Sequence, residues 1–210
     1  MKILFQGDSV TDAGRDKSNP HDLGEGYPKY AAAMLQDAFP QVDFEFVDLG
    51  ISGNRTENLV QRLENDFVAI QPDIVSIMIG INDVWHRQSG IMTTDEDIEN
   101  NYRKVLETIK SQTSARILMI QPFLLESANP GVANLREELI QAQAIIKKLA
   151  DEYADAYLPL DAVLNGELEK EPTYYTNDGI HPTPNGACYI GEVYLKAIAP
   201  LVELLSKEVE

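Results

Sequence analysis

Short apolar runs that alternate with helical patterns constrain this chain more than any other feature. Ile3-Leu4-Phe5, Phe44-Glu45-Phe46-Val47, Ile74-Val75-Ser76-Ile77-Met78-Ile79 and Ile117-Leu118-Met119-Ile120 read as buried strands, and Ala156-Tyr157-Leu158 as a fifth, weaker one. Between them, Leu135, Leu139, Ala142, Ile146, Leu149 and Tyr153 recur at three-four spacing, as one helix face requires. Ile190, Tyr194, Ala197, Leu201 and Leu204 do the same near the C-terminus, and Tyr27 to Phe39, Glu57 to Asn65 and Asp95 to Ser111 are further helical segments. Strands that alternate with helices build βαβ units, which close into a parallel sheet covered by helices on both faces. The sequence thus predicts an α/β fold. With 210 residues, no internal repeat, no low-complexity tract and no linker, it predicts one domain over residues 1–210.

The formal net charge of −17 excludes the basic face that nucleic-acid binding needs and disfavours docking on anionic lipid. A neutral or cationic small substrate fits this charge, which also serves solubility. Cys188 is the single cysteine, so no internal disulfide forms, and its place inside the last helix reads as a small buried hydrophobe. The apolar run after Met1 is too short for a secretory signal, and no stretch approaches the ~20 apolar residues of a membrane span. A soluble, cytoplasmic protein is expected.

Four short motifs sit where chemistry belongs in such a fold. Gly7-Asp8-Ser9 follows the first strand, Gly50-Ile51-Ser52-Gly53-Asn54 the second and Gly80-Ile81-Asn82-Asp83 the third, while Asp178-Gly179-Ile180-His181-Pro182 precedes the last helix. Ligands of open α/β sheets bind at the carboxyl ends of the strands. Singly, each motif is explained by a tight turn or a helix cap. Together they supply the parts of an acyl-transfer site. Ser9 is a nucleophile that needs a base. Of His21, His86 and His181, His181 is read as the base, because Asp178 lies three residues upstream of it in a turn. That carboxylate can fix the imidazole tautomer and steady the imidazolium. The backbone N–H groups of Ser9 and Gly53 and the side-chain amide of Asn82 are candidate donors to an oxyanion. G-x-S-x-G, H-E-x-x-H, C-x-x-C and P-loop motifs are absent from the sequence.

These four blocks resemble the SGNH, or GDSL, hydrolase family, whose name records the residues matched here by Ser9, Gly53, Asn82 and His181. The resemblance spans nearly the whole chain. It implies a flavodoxin-like three-layer α/β/α sandwich with a five-stranded parallel sheet, a Ser9–His181–Asp178 triad and an oxyanion hole of Ser9, Gly53 and Asn82. It implies no metal and no organic cofactor. Within the family, Gly50 to Asn54, the run Val75 to Trp85 and Gly26-Tyr27 are similar to intracellular acetylxylan esterases, and on that likeness a homo-oligomer is expected. In those esterases an aromatic residue precedes the triad aspartate; Asn177 stands there in this chain.

Residues just past the strand ends are expected to line the pocket: Asp12, Trp85, His86, Arg87, Phe123, Tyr175 and Ile180. Trp85 suits stacking on a sugar face or packing under the active-site loop, and Asp12 and Arg87 suit hydrogen bonds to hydroxyls. The polar stretch from Asp12 to Gly26 is either a substrate wall or a solvated connection. Without an apolar lid, the expected substrate is a small-molecule ester, an acetylated saccharide such as an acetylated xylo-oligosaccharide. Three alternatives stand beside it. They are a lysophospholipase or thioesterase of the same family, a phosphoesterase with Asp8, Asn82, Asp178 and His181 as metal ligands, and a non-catalytic flavodoxin-like binding domain.

Overall fold

In the computed structural model, which describes residues 1–166 and 168–208, five strands form one sheet. They are β1 (Lys2–Gly7), β2 (Glu45–Asp48), β3 (Ile74–Met78), β4 (Arg116–Ile120) and β5 (Ala156–Leu158). All neighbouring pairs are parallel, in the order β2-β1-β3-β4-β5. The helical elements are α1 (Ser9–Asp12), α2 (Tyr27–Ala38), α3 (Thr56–Gln61), α4 (Ile81–Trp85), α5 (Asp95–Gln112), α6 (Arg136–Tyr153), α7 (Leu160–Leu164), α8 (Pro172–Tyr175) and α9 (Pro184–Glu208). The predicted α/β sandwich with five parallel strands is the observed one.

The strands read as unbroken apolar runs because both of their faces are covered. Leu4, Val75, Ile77, Ile117 and Met119 face the layer that contains Leu59 of α3, Tyr102 and Leu106 of α5, and Ile146 of α6. Ile3, Phe5, Ile74, Met78, Leu118 and Ile120 face the opposite layer, with Tyr27 and Leu35 of α2 and Ile190, Tyr194 and Ile198 of α9. Each fully buried aliphatic or aromatic side chain stabilises the fold by about 1.5–3 kcal/mol. Ser76, the polar residue inside β3, is fully buried and satisfied: its Oγ donates to Leu4 O at 3.3 Å and accepts from Tyr194 Oη at 3.3 Å.

Element ends follow local rules. Thr94 and Asp97 form a reciprocal capping box at the start of α5, whose first turn is acidic and whose last carries Lys110. The helix predicted over Glu57 to Asn65 is shorter, ending at Gln61. A π-helical turn over Glu64–Val68 takes its place, with Ala69 N donating to Glu64 O at 2.8 Å. Phe44 lies just outside β2, and α9 begins before and ends after the predicted span.

The order β2-β1-β3 makes the crossing from β1 a switch point, with connections leaving on opposite sides. The loops after β1, β2 and β3 therefore converge at one edge. The segment from Asp12 to Gly26 is pinned beside them rather than free: Arg15 Nε donates to Gly50 O at 3.0 Å, Asp48 N to Pro20 O at 2.8 Å and Glu25 N to Ala13 O at 3.0 Å. Cys188 is half-buried instead of enclosed, and partial burial followed by Glu192 pushes its thiol up.

Candidate active site

Ser9 opens α1 immediately after β1. Asp8 caps this turn, its Oδ1 accepting from Val10 N at 3.1 Å. Gly7 permits the tight exit from the strand: a Cβ there would lie 2.3 Å from Thr11 Oγ1 and 2.5 Å from Met78 O. No larger residue fits without moving α1, and with it Ser9.

From the other end of the chain, the turn between α8 and α9 brings His181 to Ser9. Ser9 Oγ lies 2.9 Å from His181 Nε2, and His181 Nδ1 lies 2.7 Å from Asp178 Oδ2. A carboxylate is acceptor-only, so this contact places the imidazole proton on Nδ1 and leaves Nε2 to accept from the serine hydroxyl. Asp178 is held in turn. Its Oδ1 accepts from His181 N at 2.7 Å, Ile180 N at 2.9 Å and Thr176 Oγ1 at 3.1 Å, and its backbone carbonyl accepts from Asn129 Nδ2 at 3.0 Å. Partial burial pushes the Asp178 carboxyl up. The bonds from the His181 ring and from the two backbone amides outweigh it and hold the group below the ordinary aspartate value.

The loop after β2 presents Gly53 with φ +80 and open space where a Cβ would stand. Neither the Gly53 N–H nor the Ser9 N–H, first in its turn, has a partner among the described residues. Asn82 sits in the first turn of α4, 4% exposed, and one amide N–H of Nδ2 donates to Asn54 O at 3.0 Å. An amide nitrogen carries two hydrogens, so one N–H remains. Four separate segments thus carry the predicted triad and oxyanion-hole residues: those after β1, β2 and β3, and the turn between α8 and α9.

The predicted pocket residues divide. Trp85 is half-buried with its ring 6.3 Å from that of His181, beside the reacting groups. Ile180 is buried and lines a narrow cleft together with Asp8, Val10, Met78, Ile81, Pro122 and Phe123. These include the immediate neighbours of Ser9, Asn82 and His181.

Three expectations are corrected. Asp12 is 1% exposed, and its Oδ2 accepts from Ser52 N at 2.8 Å and Ser52 Oγ at 2.7 Å, with Lys17 Nζ at 3.0 Å. Its Oδ2 thereby ties the Ser9 turn to the Gly53 loop. Arg87 donates to Thr93 O, Glu138 and Asp95 at 2.7, 2.9 and 2.7 Å, so its guanidinium is spent on fixing the loop after α4. Tyr175 is buried on the α9 side and packs edge-on against Tyr189 and Tyr174 at 5.1 and 5.3 Å. The other two histidines stay apart from Ser9 in their contacts. His21 Nδ1 lies 2.9 Å from Phe46 O, and burial, then Arg55, lowers the pKa of His86.

Two buried carboxylates lie close to the triad. Burial pushes Asp8 up to about 7, and the Val10 bond and the His181 charge only partly counter it. Burial also raises Asp83 to about 6, although Thr56 N and Thr56 Oγ1 both donate to it. Residue types alone gave no sign of Thr56, Thr176 and Asn129 as supports of the site. They gave no sign of Arg62 and Asp66 either. Among the described residues, no group of three or more His, Cys, Asp or Glu side chains is arranged to hold a metal ion, and no helix is long and apolar enough to cross a membrane.

The model of the GDSL-like lipase/acylhydrolase family matches residues 5–187. An acetylxylan esterase from Geobacillus stearothermophilus is 31% identical over 206 residues, covering 94% of this chain and 93% of its own. The thioesterase 1/protease 1/lysophospholipase L1 of Escherichia coli K12 is 28% identical over 185 residues, covering 86% of this chain and 81% of its own. Among solved structures, a putative GDSL-like lipase from Parabacteroides merdae superposes with a TM-score of 0.88 at 31% identity, covering 94% of this chain and 95% of the other. The Geobacillus esterase superposes at 0.81 and 30%, covering 93% and 92%. The chain belongs to the GDSL-like lipase/acylhydrolase family of ester hydrolases.

Proposed function

We propose that this protein is a serine esterase that removes acetyl groups from sugars, acetylated xylo-oligosaccharides foremost, through an acyl-enzyme on Ser9. The observation that carries the reading is the unbroken contact from Ser9 Oγ through His181 to Asp178. Ser9 Oγ attacks the ester carbonyl while His181 Nε2 takes its proton. Asp178 holds the ring and stabilises the imidazolium. The tetrahedral oxygen accepts from Ser9 N, Gly53 N and the remaining Asn82 N–H, donors worth ~10²–10³ in turnover each. His181 then protonates the departing sugar hydroxyl, and water repeats the sequence to release acetate.

The acyl and alcohol sides are read from different features. The narrow cleft lined by Ile81, Phe123 and Ile180 leaves little room beside Ser9 and suits a group as small as acetyl. Trp85, beside His181, offers a sugar a stacking face. The Geobacillus relative is an acetylxylan esterase, and its solved structures include a serine-to-alanine and a histidine-to-alanine catalytic mutant. A cytoplasmic location and self-association rest on likeness to intracellular acetylxylan esterases and on no feature of the site.

A panel of 4-nitrophenyl esters from acetate to decanoate, with acetylated xylobiose beside it, tests the substrate reading. Acetate is expected to have the highest kcat/KM, falling at least ~10-fold by octanoate, since each added methylene must find room the cleft lacks. Rising kcat/KM with chain length would replace this reading with the thioesterase or lysophospholipase activity of the Escherichia coli relative.

A further inference from the structure

The oxyanion loop does not hold itself. Within the loop from Ile51 to Arg55 one backbone bond is internal, Asn54 N to Ile51 O at 3.1 Å, and at its ends Ile51 N donates to Gly7 O at 3.1 Å and Asn58 N to Arg55 O at 3.0 Å. Gly53, with open space around it, has no packing to fix its N–H. Its position depends on its neighbours. Ser52 is tied to Asp12 on the nucleophile turn, as described above. On the other side, Asn54 makes two further contacts: its carbonyl accepts from Asn82 Nδ2 at 3.0 Å, and its Oδ1 accepts from Arg62 Nη1.

Arg62 is itself immobilised. Its Nε donates to Asp66 Oδ2 at 2.6 Å and its Nη2 to Gln6 Oε1 at 3.4 Å. Gln6, fully buried in β1, donates from Nε2 to Asp66 Oδ2 at 2.9 Å and accepts from Gly7 N at 3.1 Å. The network therefore runs from the residue before Asp8-Ser9 to the residue after Gly53. An exposed i,i+4 ion pair does little for a protein. This pair is mostly covered, with side chains 23% and 12% exposed, and the guanidinium spans three partners on two elements. Asp66 reaches its place from the π-helical turn, a rare backbone feature that is frequently found at functional sites.

We infer that Arg62 is a positioning residue for the oxyanion hole. It fixes Asn54, and through Asn54 both the Gly53 N–H and the Asn82 amide. The inference rests on the esterase reading above.

Four enzymes test it: the parent, Arg62→Ala, Asn82→Ala and the double variant. Each is assayed with 4-nitrophenyl acetate, titrated with phenylboronic acid as a tetrahedral mimic, and melted. Arg62→Ala is expected to lower kcat ~10–100-fold with KM within about twofold, part of what loss of a whole donor costs. Boronate affinity should fall by a similar factor, because the mimic uses the same hole. The double variant should be slower than Asn82→Ala by clearly less than the factor Arg62→Ala costs alone, because the part of that cost that acts through Asn82 is already lost and only the part through Gly53 remains. An Arg62→Ala enzyme that melts lower but keeps its kcat, or losses that multiply in the double variant, overturns the inference. If Arg62→Ala does not fold, Asn54→Ala removes the Oδ1 acceptor and leaves the Arg62–Asp66 pair. It should show the same loss of kcat, and undiminished kcat there overturns the inference equally. Undiminished turnover in Asn82→Ala would overturn the oxyanion-hole reading itself and this inference with it. A slow Asn82→Ala enzyme beside a fast Arg62→Ala enzyme overturns the role of Arg62 alone.

Discussion

Ser9 and His181 stand 172 positions apart in the chain and 2.9 Å apart in space, and the proposed chemistry depends on that second distance. Gly53 shows what a single position contributes. A methyl at Gly53 meets nothing within 4 Å, so Gly53→Ala carries no steric cost. Its cost is conformational: φ +80 is disfavoured for alanine by about 1–2 kcal/mol. Relaxing that angle turns the N–H away from the oxyanion. Gly53→Ala is therefore expected to lose ~10-fold or more in kcat with a small drop in melting temperature. Equal kcat would place the N–H outside the reaction. Ser9, Gly53, Asn82, Asp178 and His181 could be picked out in sequence because each needs a particular residue type at the end of a strand or in a turn. Asp12 and Arg87 were misread for a related reason. A charged residue near a strand end looks the same in sequence whether it faces substrate or ties two loops together. Only the Ser52 and Thr93 contacts separate the two cases.

Among elements, the central strands β1, β3 and β4 were legible because a sheet covered on both sides favours apolar residues at consecutive positions rather than at alternate ones, and the edge strands β2 and β5 showed as shorter apolar runs. The long helices α2, α5, α6 and α9 were legible from their three-four spacing. The short elements were not. α4, α7 and α8 span four or five residues, too few for a period to show, and α4 carries Asn82. The π-helical turn at Glu64–Val68 was hidden for another reason: its extra residue is accommodated by the contacts of Asp66 with Gln6 and Arg62, which are tertiary. The sequence set the candidate residues on loops that the fold brings to one edge, and the supports of those loops emerged only with packing.

For the molecule as a whole, burial of carboxylates beside the site sets a pH dependence. Asp8 is raised from 3.8 to about 7 in the fold, so between these values the folded state binds more protons than the unfolded chain. Its contribution is complete below about pH 4 and is lost as pH rises through about 7. Asp83, raised to about 6, acts in the same direction over a narrower window. Asp178, Asp12 and Asp155, held below their ordinary value, act in the opposite direction: their contributions are present above about pH 4 and lost on acidification. Asp8→Asn keeps an oxygen for the Val10 cap and removes the titration. Its melting temperature should fall less than the parent's between about pH 5 and pH 8. Parallel curves would show that Asp8 does not titrate there.

The central claim is that Ser9 is the group acylated. The most direct measurement treats the parent and Ser9→Ala with an organophosphonate and reads intact mass, peptide position and turnover of 4-nitrophenyl acetate. One adduct on Ser9 of the parent is expected, with none in Ser9→Ala. A Ser9→Ala protein that melts as the parent does should have lost ~10⁴-fold or more in kcat. A folded Ser9→Ala protein that still takes the label, or still turns over acetate at the parent's rate, would contradict the account.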